Sequence, residues 1–113
     1  MNVATISELP ASNFSRELIG DDHGGLTMSI IFVDAAPGRG PSLHRHDYDE
    51  VLIIQEGEAT VTADGETRVV RAGEVVMVPA GVWHAFVNTG DGPLRQIDIH
   101  AAGRFGTEWA EAS

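Results

Sequence analysis

Four side chains of this sequence, His44, His46, Glu50 and His84, are of the types that bind metal ions and move protons. His44 and His46 stand two apart, so on a strand both rings point to one face. Glu50 has the same parity, as do Leu52 and Ile54. It joins the two histidines on the inner face if Asp47–Asp49 do not break the strand. Two imidazoles and a carboxylate on one face form a metal-ligand set. His84 lies on a later run with Phe86 and can add a fourth ligand from across the fold. A second polar group sits on the run Leu94–His100. Its alternation puts Ile97 and Ile99 on one face and Gln96, Asp98 and His100 on the other. With the polar face turned inward, Asp98 and His100 are candidate proton-transfer residues and Gln96 a candidate substrate contact. Turned outward, the same residues form a solvated face or a partner contact.

The elements that must position these groups are short strands. Runs that alternate or are rich in β-branched residues cover Thr27–Asp34, Glu50–Glu56, Ala59–Ala63, Thr67–Arg71, Glu74–Val78, Val82–Asn88 and Leu94–His100. Turn signals separate them at Pro37-Gly38, Gly57, Asp64-Gly65, Ala72-Gly73 and Pro79-Ala80-Gly81. Strands at this spacing read as an all-β sandwich or barrel. Asp64-Gly65 between two such runs is a tight-hairpin signal. Ser12–Ile19 reads as an edge strand. Gly103–Ala112 reads as a short C-terminal helical turn that places Phe105 and Trp109 on one face.

Composition narrows the chemistry. The 113 residues make one domain, large enough to bury a core without disulfides. There is no cysteine and no lysine, which removes thiolate ligands, cysteine nucleophiles and Schiff-base chemistry. A net charge of −10 repels phosphate backbones and argues against nucleic acid as a partner. No apolar run has the roughly 20 residues that span a bilayer, and Met1–Pro10 lacks the charged and apolar parts of a signal peptide. A cytoplasmic protein without a membrane partner is the expectation.

The spacing around the histidines is more specific. Gly38 is followed after five residues by His44-Arg45-His46, after three more by Glu50 and after six more by Gly57. Gly73 is followed after five residues by Pro79-Ala80-Gly81, after two more by His84 and after three more by Asn88. With fifteen residues between them, these stretches resemble the two signature motifs of the cupin superfamily, at all ten specified positions. The resemblance implies a double-stranded β-helix, a jelly-roll barrel of six to eleven strands, spanning residues 1–113 as a small single-domain cupin. It implies one divalent transition ion (manganese, iron, nickel, copper, cobalt or zinc) held by His44, His46, Glu50 and His84. Two open coordination positions would then remain for water, substrate or dioxygen.

For the pocket around that ion, Leu52, Ile54 and Phe86 are expected on the inner wall. The run Thr27–Asp34 presents either Met28, Ile30 and Phe32 or Ser29, Ile31 and Val33 to the interior. Phe32 and Phe86 are taken as candidate substrate contacts. Arg104 is a candidate clamp for a substrate carboxylate, or a plain surface residue. Trp83 has outward parity and is expected to pack in a homodimer, together with an N-terminal edge strand. The resemblance points to a metal-dependent enzyme on a small organic substrate, of dioxygenase type, with Glu50 also able to act as a base. The alternatives are a non-redox isomerase, lyase or cyclase, or a small-molecule-binding cupin without catalysis.

Overall fold

A computed structural model describes residues 1–111. Their order is β1 (Ala11–Ser12), β2 (Ser15–Leu18), β3 (Ser29–Ala35), β4 (His44–Arg45), β5 (Glu50–Glu56), β6 (Glu58–Ala63), β7 (Glu66–Arg71), β8 (Val75–Val78), β9 (His84–Asn88), β10 (Leu94–His100) and β11 (Glu108–Trp109). Two short 3₁₀ turns, Ile6–Glu8 and Gly20–Asp22, are the remaining regular elements. A six-stranded sheet runs β1-β2-β3-β10-β5-β8 and a five-stranded sheet runs β11-β4-β9-β6-β7. Every pairing is antiparallel. The two sheets face each other as the two layers of the jelly roll. No helix of the described residues is long and apolar enough to cross a membrane.

The alternation read from the sequence is the alternation of burial. Glu50, Leu52 and Ile54 of β5 are buried, as are His84, Phe86 and Asn88 of β9 and Leu94, Gln96, Asp98 and His100 of β10. One end of the space between the sheets is apolar, filled by Ala35, Leu52, Ile54, Ala59, Val61, Val70 and Leu94. The other end collects the buried histidines and carboxylates. Strands β5 and β10 therefore carry apolar residues toward one end and Glu50 and His100 toward the other.

Turn chemistry fixes this arrangement. Asp64 and Gly65 both have positive φ, 52° and 76°, which is the two-residue hairpin turn that matches strand twist. Gly57 takes the chain from β5 in one sheet to β6 in the other with φ 89°. A Cβ at this corner would also strike the backbone carbonyl of Pro93. Gly57→Ala is expected to cost about 3 kcal/mol, from left-handed strain and from the displaced carbonyl together. Urea unfolding of the variant should show the midpoint drop; a loss under about 1 kcal/mol would mean that the corner relaxes freely. Asn88 closes a second corner, donating from Nδ2 to the carbonyls of Ala35 and Gly92, each at 2.8 Å, and accepting from the Gly90 N–H at 2.9 Å.

The C-terminal segment departs from the reading above. It forms no helical turn among the described residues. Residues 101–107 are extended or bent, and Glu108–Trp109 adds β11 to the edge of β4. Pairing with His44 and Arg45 across the barrel mouth outweighs the weak local helical signal of a glycine-containing stretch. Ala112, the last residue of the expected helix, lies outside the described residues.

Candidate metal centre

The ligand candidates meet as two cross-strand pairs. His44 of β4 pairs with His84 of β9 in the five-stranded sheet. Glu50 of β5 pairs with His100 of β10 in the six-stranded sheet. His46 follows β4 on the inner face and is buried. Asp47–Asp49 do break the strand, and β4 and β5 lie in different sheets. Glu50 thus reaches the histidines from the opposite layer, not by shared parity on one strand. His84 is a neighbour of His44 in the same sheet, not a ligand from across the barrel. Donor atoms of His44, His46, Glu50 and His84 all lie within 4.8 Å of one another, and all four residues are buried.

The rings are held in one tautomer. His44 Nδ1 lies 2.7 Å from the Ser42 carbonyl, His46 Nδ1 2.8 Å from Gly106 O and His84 Nδ1 2.9 Å from Val82 O. A carbonyl only accepts, so each Nδ1 carries a proton, and each Nε2 is left to take an ion or a second proton. Two of these Nε2 atoms face a carboxylate oxygen. Glu50 Oε1 lies 3.2 Å from His46 Nε2 and 3.0 Å from His84 Nε2. His46 Nε2 is buried with no hydrogen-bond partner. Acceptors converging at this range need a cation among them. Three imidazoles and one carboxylate suit a divalent ion, and backbone carbonyls orient each ring as metal-bound histidines require.

The proton equilibria follow from the same packing. Burial pushes His44 down to about 4, so its ring is neutral at ordinary pH. For Glu50, burial opposes the charge, but the His100, His46 and His84 rings around it overcome that and hold the carboxyl well below the usual range. For His84, burial lowers proton affinity, and the bond to Glu50 more than restores it, so its pKa is raised. A proton on His84 stands in for the cation.

His100 has a different role from the other three rings. Its Nε2 lies 3.2 Å from Glu50 Oε2, the oxygen turned away from His46 and His84. Its Nδ1 lies 2.7 Å from the Tyr48 hydroxyl, which also lies 3.2 Å from His46 Nδ1. His46 points its N–H toward that oxygen and Gly106 O, so the Tyr48 proton goes to His100 Nδ1. The His100 proton then sits on Nε2, toward Glu50. Burial pushes the Tyr48 hydroxyl up to about 12, which keeps it a donor.

The polar face of β10 turns inward. Asp98 is buried and accepts from Gln96 Nε2 at 2.7 Å. Burial and the charge of Glu50 push its carboxyl well up, against the Gln96 bond. Between the unfolded value near 3.8 and the raised folded value, the native state holds one proton more than the unfolded chain. Asp98 therefore makes the ion-free protein less stable as pH rises through that window. Asp98→Asn is expected to remove this loss, so its advantage over the parent should grow from pH 4 upward. Urea midpoints of both proteins across pH check this; parallel curves would show that Asp98 is ionised in the native state.

A cavity of about 420 Å³ opens onto the centre. Beyond the ligands, Asp98 and His100, its wall has an apolar part, Phe14, Ile31, Val33, Phe86, Phe105 and Trp109, and a polar part, Ser12, Asn13, Ser15, Glu17, Ser42 and Thr107. Phe86 lines the cavity edge-on to Phe14. Trp109 packs on His44 and Phe105 on His100, with ring centroids 5.1 and 4.9 Å apart. Phe32 does not line this cavity. Ser29, Ile31 and Val33 are the inward set of β3, which leaves Phe32 on the outer face beside Ile97. Gln96 lies behind Asp98 and does not line the cavity either. Arg104 is exposed and off the lining.

None of the seven arginines lines the cavity, and the chain has no lysine. Arg45, Arg71 and Arg95 are paired with Glu108, Glu58 and Asp34. Arg45 also covers Trp83 at 4.4 Å. Arg16 donates to the Leu9 carbonyl, and the exposed Arg39 lies over the Phe14 ring at 5.8 Å.

Tyr48, Phe14, Phe105 and Trp109 are the site residues that sequence reasoning did not place there. Tyr48 shares the even parity of His44, His46 and Glu50, which was the available signal. The other three reach the site through long-range pairing of chain ends and leave no local pattern.

Comparison with known proteins agrees with the fold and the family motifs. Residues 31–100 match the family model described as the cupin domain. A gentisate 1,2-dioxygenase of Ralstonia sp is 36% identical over 64 residues, which are 56% of this chain and 18% of that protein. The oxalate decarboxylase of Bacillus subtilis, a protein with Mn(II) centres, superposes with a TM-score of 0.77 at 24% identity, over 92% of this chain and 30% of that one. A Klebsiella pneumoniae protein with a double-stranded β-helix domain superposes with a TM-score of 0.77 at 20% identity, over 99% of both chains. The chain thus spans under a third of the two enzymes, and the structural likenesses establish the fold. With the motif spacing, the jelly roll and a family match over residues 31–100 in agreement, the chain belongs to the cupin family.

Proposed function

We propose that this cupin is a metal-dependent enzyme of dioxygenase type, acting on a small organic molecule that offers two neighbouring oxygen donors. The observation that carries this reading is the set of Nε2 lone pairs and Glu50 Oε1 converging at the floor of a cavity of about 420 Å³. A divalent ion bound there supplies Lewis acidity and a template for substrate and dioxygen. The chain's residues do the rest. Phe86, Phe14 and Trp109 exclude water and present flat apolar surfaces to a planar substrate. Glu50, fixed by His100 on its far oxygen, can accept a substrate proton when it turns from the ion. Asp98 holds a proton facing the cavity and can return it. The name of the Ralstonia relative, gentisate 1,2-dioxygenase, supports the oxygen-dependent form.

One observation favours a second reading, a non-redox isomerase, lyase or cyclase: Asp98, a proton-bearing acid on the cavity wall, is a proton donor beside the centre that oxygen insertion does not need. An oxygen electrode separates the two. The ion-loaded protein is offered a panel of catechols, β-diketones and α-hydroxyketones. Uptake of oxygen stoichiometric with product is the expected result, and Glu50→Gln should slow it on the order of 100-fold or more. Equal turnover without oxygen would replace the dioxygenase reading by the non-redox one. The reading also includes a homodimer, supported by the outer edge of β1, which pairs with no further strand among the described residues. A solution mass of a single 12.1 kDa chain at micromolar concentration would remove it.

A further inference from the structure

The geometry points to a charge rule for the substrate: the cavity accepts a planar bidentate oxygen donor bearing a single negative charge, and discriminates against dicarboxylates. This rests on the metal-site reading above and on the placement of every charged group around the cavity.

Three neutral imidazoles and one carboxylate leave a divalent ion with one uncompensated positive charge. A singly charged chelator, such as an enolate or a monoanionic catecholate, neutralises it. A dianion leaves a net negative charge inside a space walled by Phe14, Phe86, Phe105 and Trp109. Such a charge is tolerated only beside a cation or several donors. No arginine lines the wall, the chain has no lysine, and Arg104 lies off the lining. The charged group that does line it beyond the ligands, Glu17 of β2, is an acid. It repels a second anionic head. Sites that bind carboxylates supply a bidentate arginine or its equivalent, and beside the hydroxyls and amide of this wall no arginine or lysine stands. The aromatic faces instead match a flat ring or a conjugated enol, which spreads one charge over two oxygens.

The test uses two planar bidentate oxygen chelators on the Co(II)-loaded protein, followed by the visible band of the ion: tropolone, a monoanion with an aromatic ring, and oxalate, a dianion. Each affinity is divided by that of the same probe for Co(II) in water. The ratio is expected to favour tropolone at least about tenfold, and Glu17→Gln should shrink that preference about threefold or more. Arg39→Gln, which alters the exposed arginine over Phe14, should leave both affinities unchanged. Oxalate binding as tightly as tropolone on this scale would overturn the inference while leaving the metal-site reading intact. Oxalate binding that is tight and lost in Arg39→Gln would overturn it by assigning the missing cation. Metal content is measured before and after each titration; a protein that takes up no Co(II) at all would overturn this inference and the metal-site reading together.

Discussion

Replacing His84 by alanine is expected to weaken divalent-ion binding by at least about 100-fold. Loss of groups that merely orient metal ligands already costs about 10–100-fold, and His84 is a direct donor candidate. Its ring is buried, its Nδ1–H is fixed by Val82 O, and its Nε2 lies 3.0 Å from Glu50 Oε1. Alanine removes the second-motif ligand and the cross-strand partner of His44 at once. Competition against a chromophoric chelator measures the affinity directly. The ion-free variant should remain folded, since the apolar cluster around Leu52, Ile54 and Leu94 lies at the other end of the barrel. A variant that folds and binds the ion as tightly as the parent would remove His84 from the site.

Saturation with a divalent ion is expected to raise the melting temperature by roughly 15–25 °C at a free concentration near 1,000 times Kd. An ion that binds only the native state contributes about 4 kcal/mol there, and a chain of this length gains several degrees per kcal/mol. The ion also relieves an unfavourable arrangement, in which His46 Nε2 is buried without a hydrogen-bond partner beside Glu50 Oε1. Binding requires neutral rings, and the raised pKa of His84 makes the proton its competitor. The thermal shift should therefore shrink as pH falls through the His84 titration. His44, pushed down to about 4, should not limit binding until far more acid conditions. Differential scanning with added Mn(II) or Zn(II), reversed by chelation, checks both the size and the direction with pH.

Most of the framework is legible in the sequence because one face of nearly every strand is buried. Alternation then reads directly as inside and outside, and the run Leu94–His100 matches β10 residue for residue. Asp64-Gly65 is legible because few residue pairs tolerate two successive positive φ values. The ligand set is legible from motif spacing, but its geometry is not. Parity along one strand would bring Glu50 to His44 and His46, whereas the chain breaks at Asp47–Asp49 and Glu50 arrives from the opposite sheet. The inward face of β3 is ambiguous because both of its faces are apolar, and this misplaces Phe32. The segment after His100 is illegible for a different reason. A two-residue strand such as β11 has no periodicity, and its position comes from pairing with residues more than sixty positions away. That segment supplies Phe105, Trp109 and the Gly106 carbonyl that fixes the His46 tautomer.

The central claim is that His44, His46, Glu50 and His84 hold one divalent ion together through three Nε2 atoms and one carboxylate oxygen. X-ray absorption spectroscopy on the protein loaded with about one equivalent of Mn(II) or Co(II) counts those ligands in solution. The structure predicts three imidazoles in the first coordination sphere, the remaining positions filled by oxygen, and two imidazoles after His84→Ala at saturating metal. A sphere without imidazole, or one with four imidazoles that draws in His100, would contradict it.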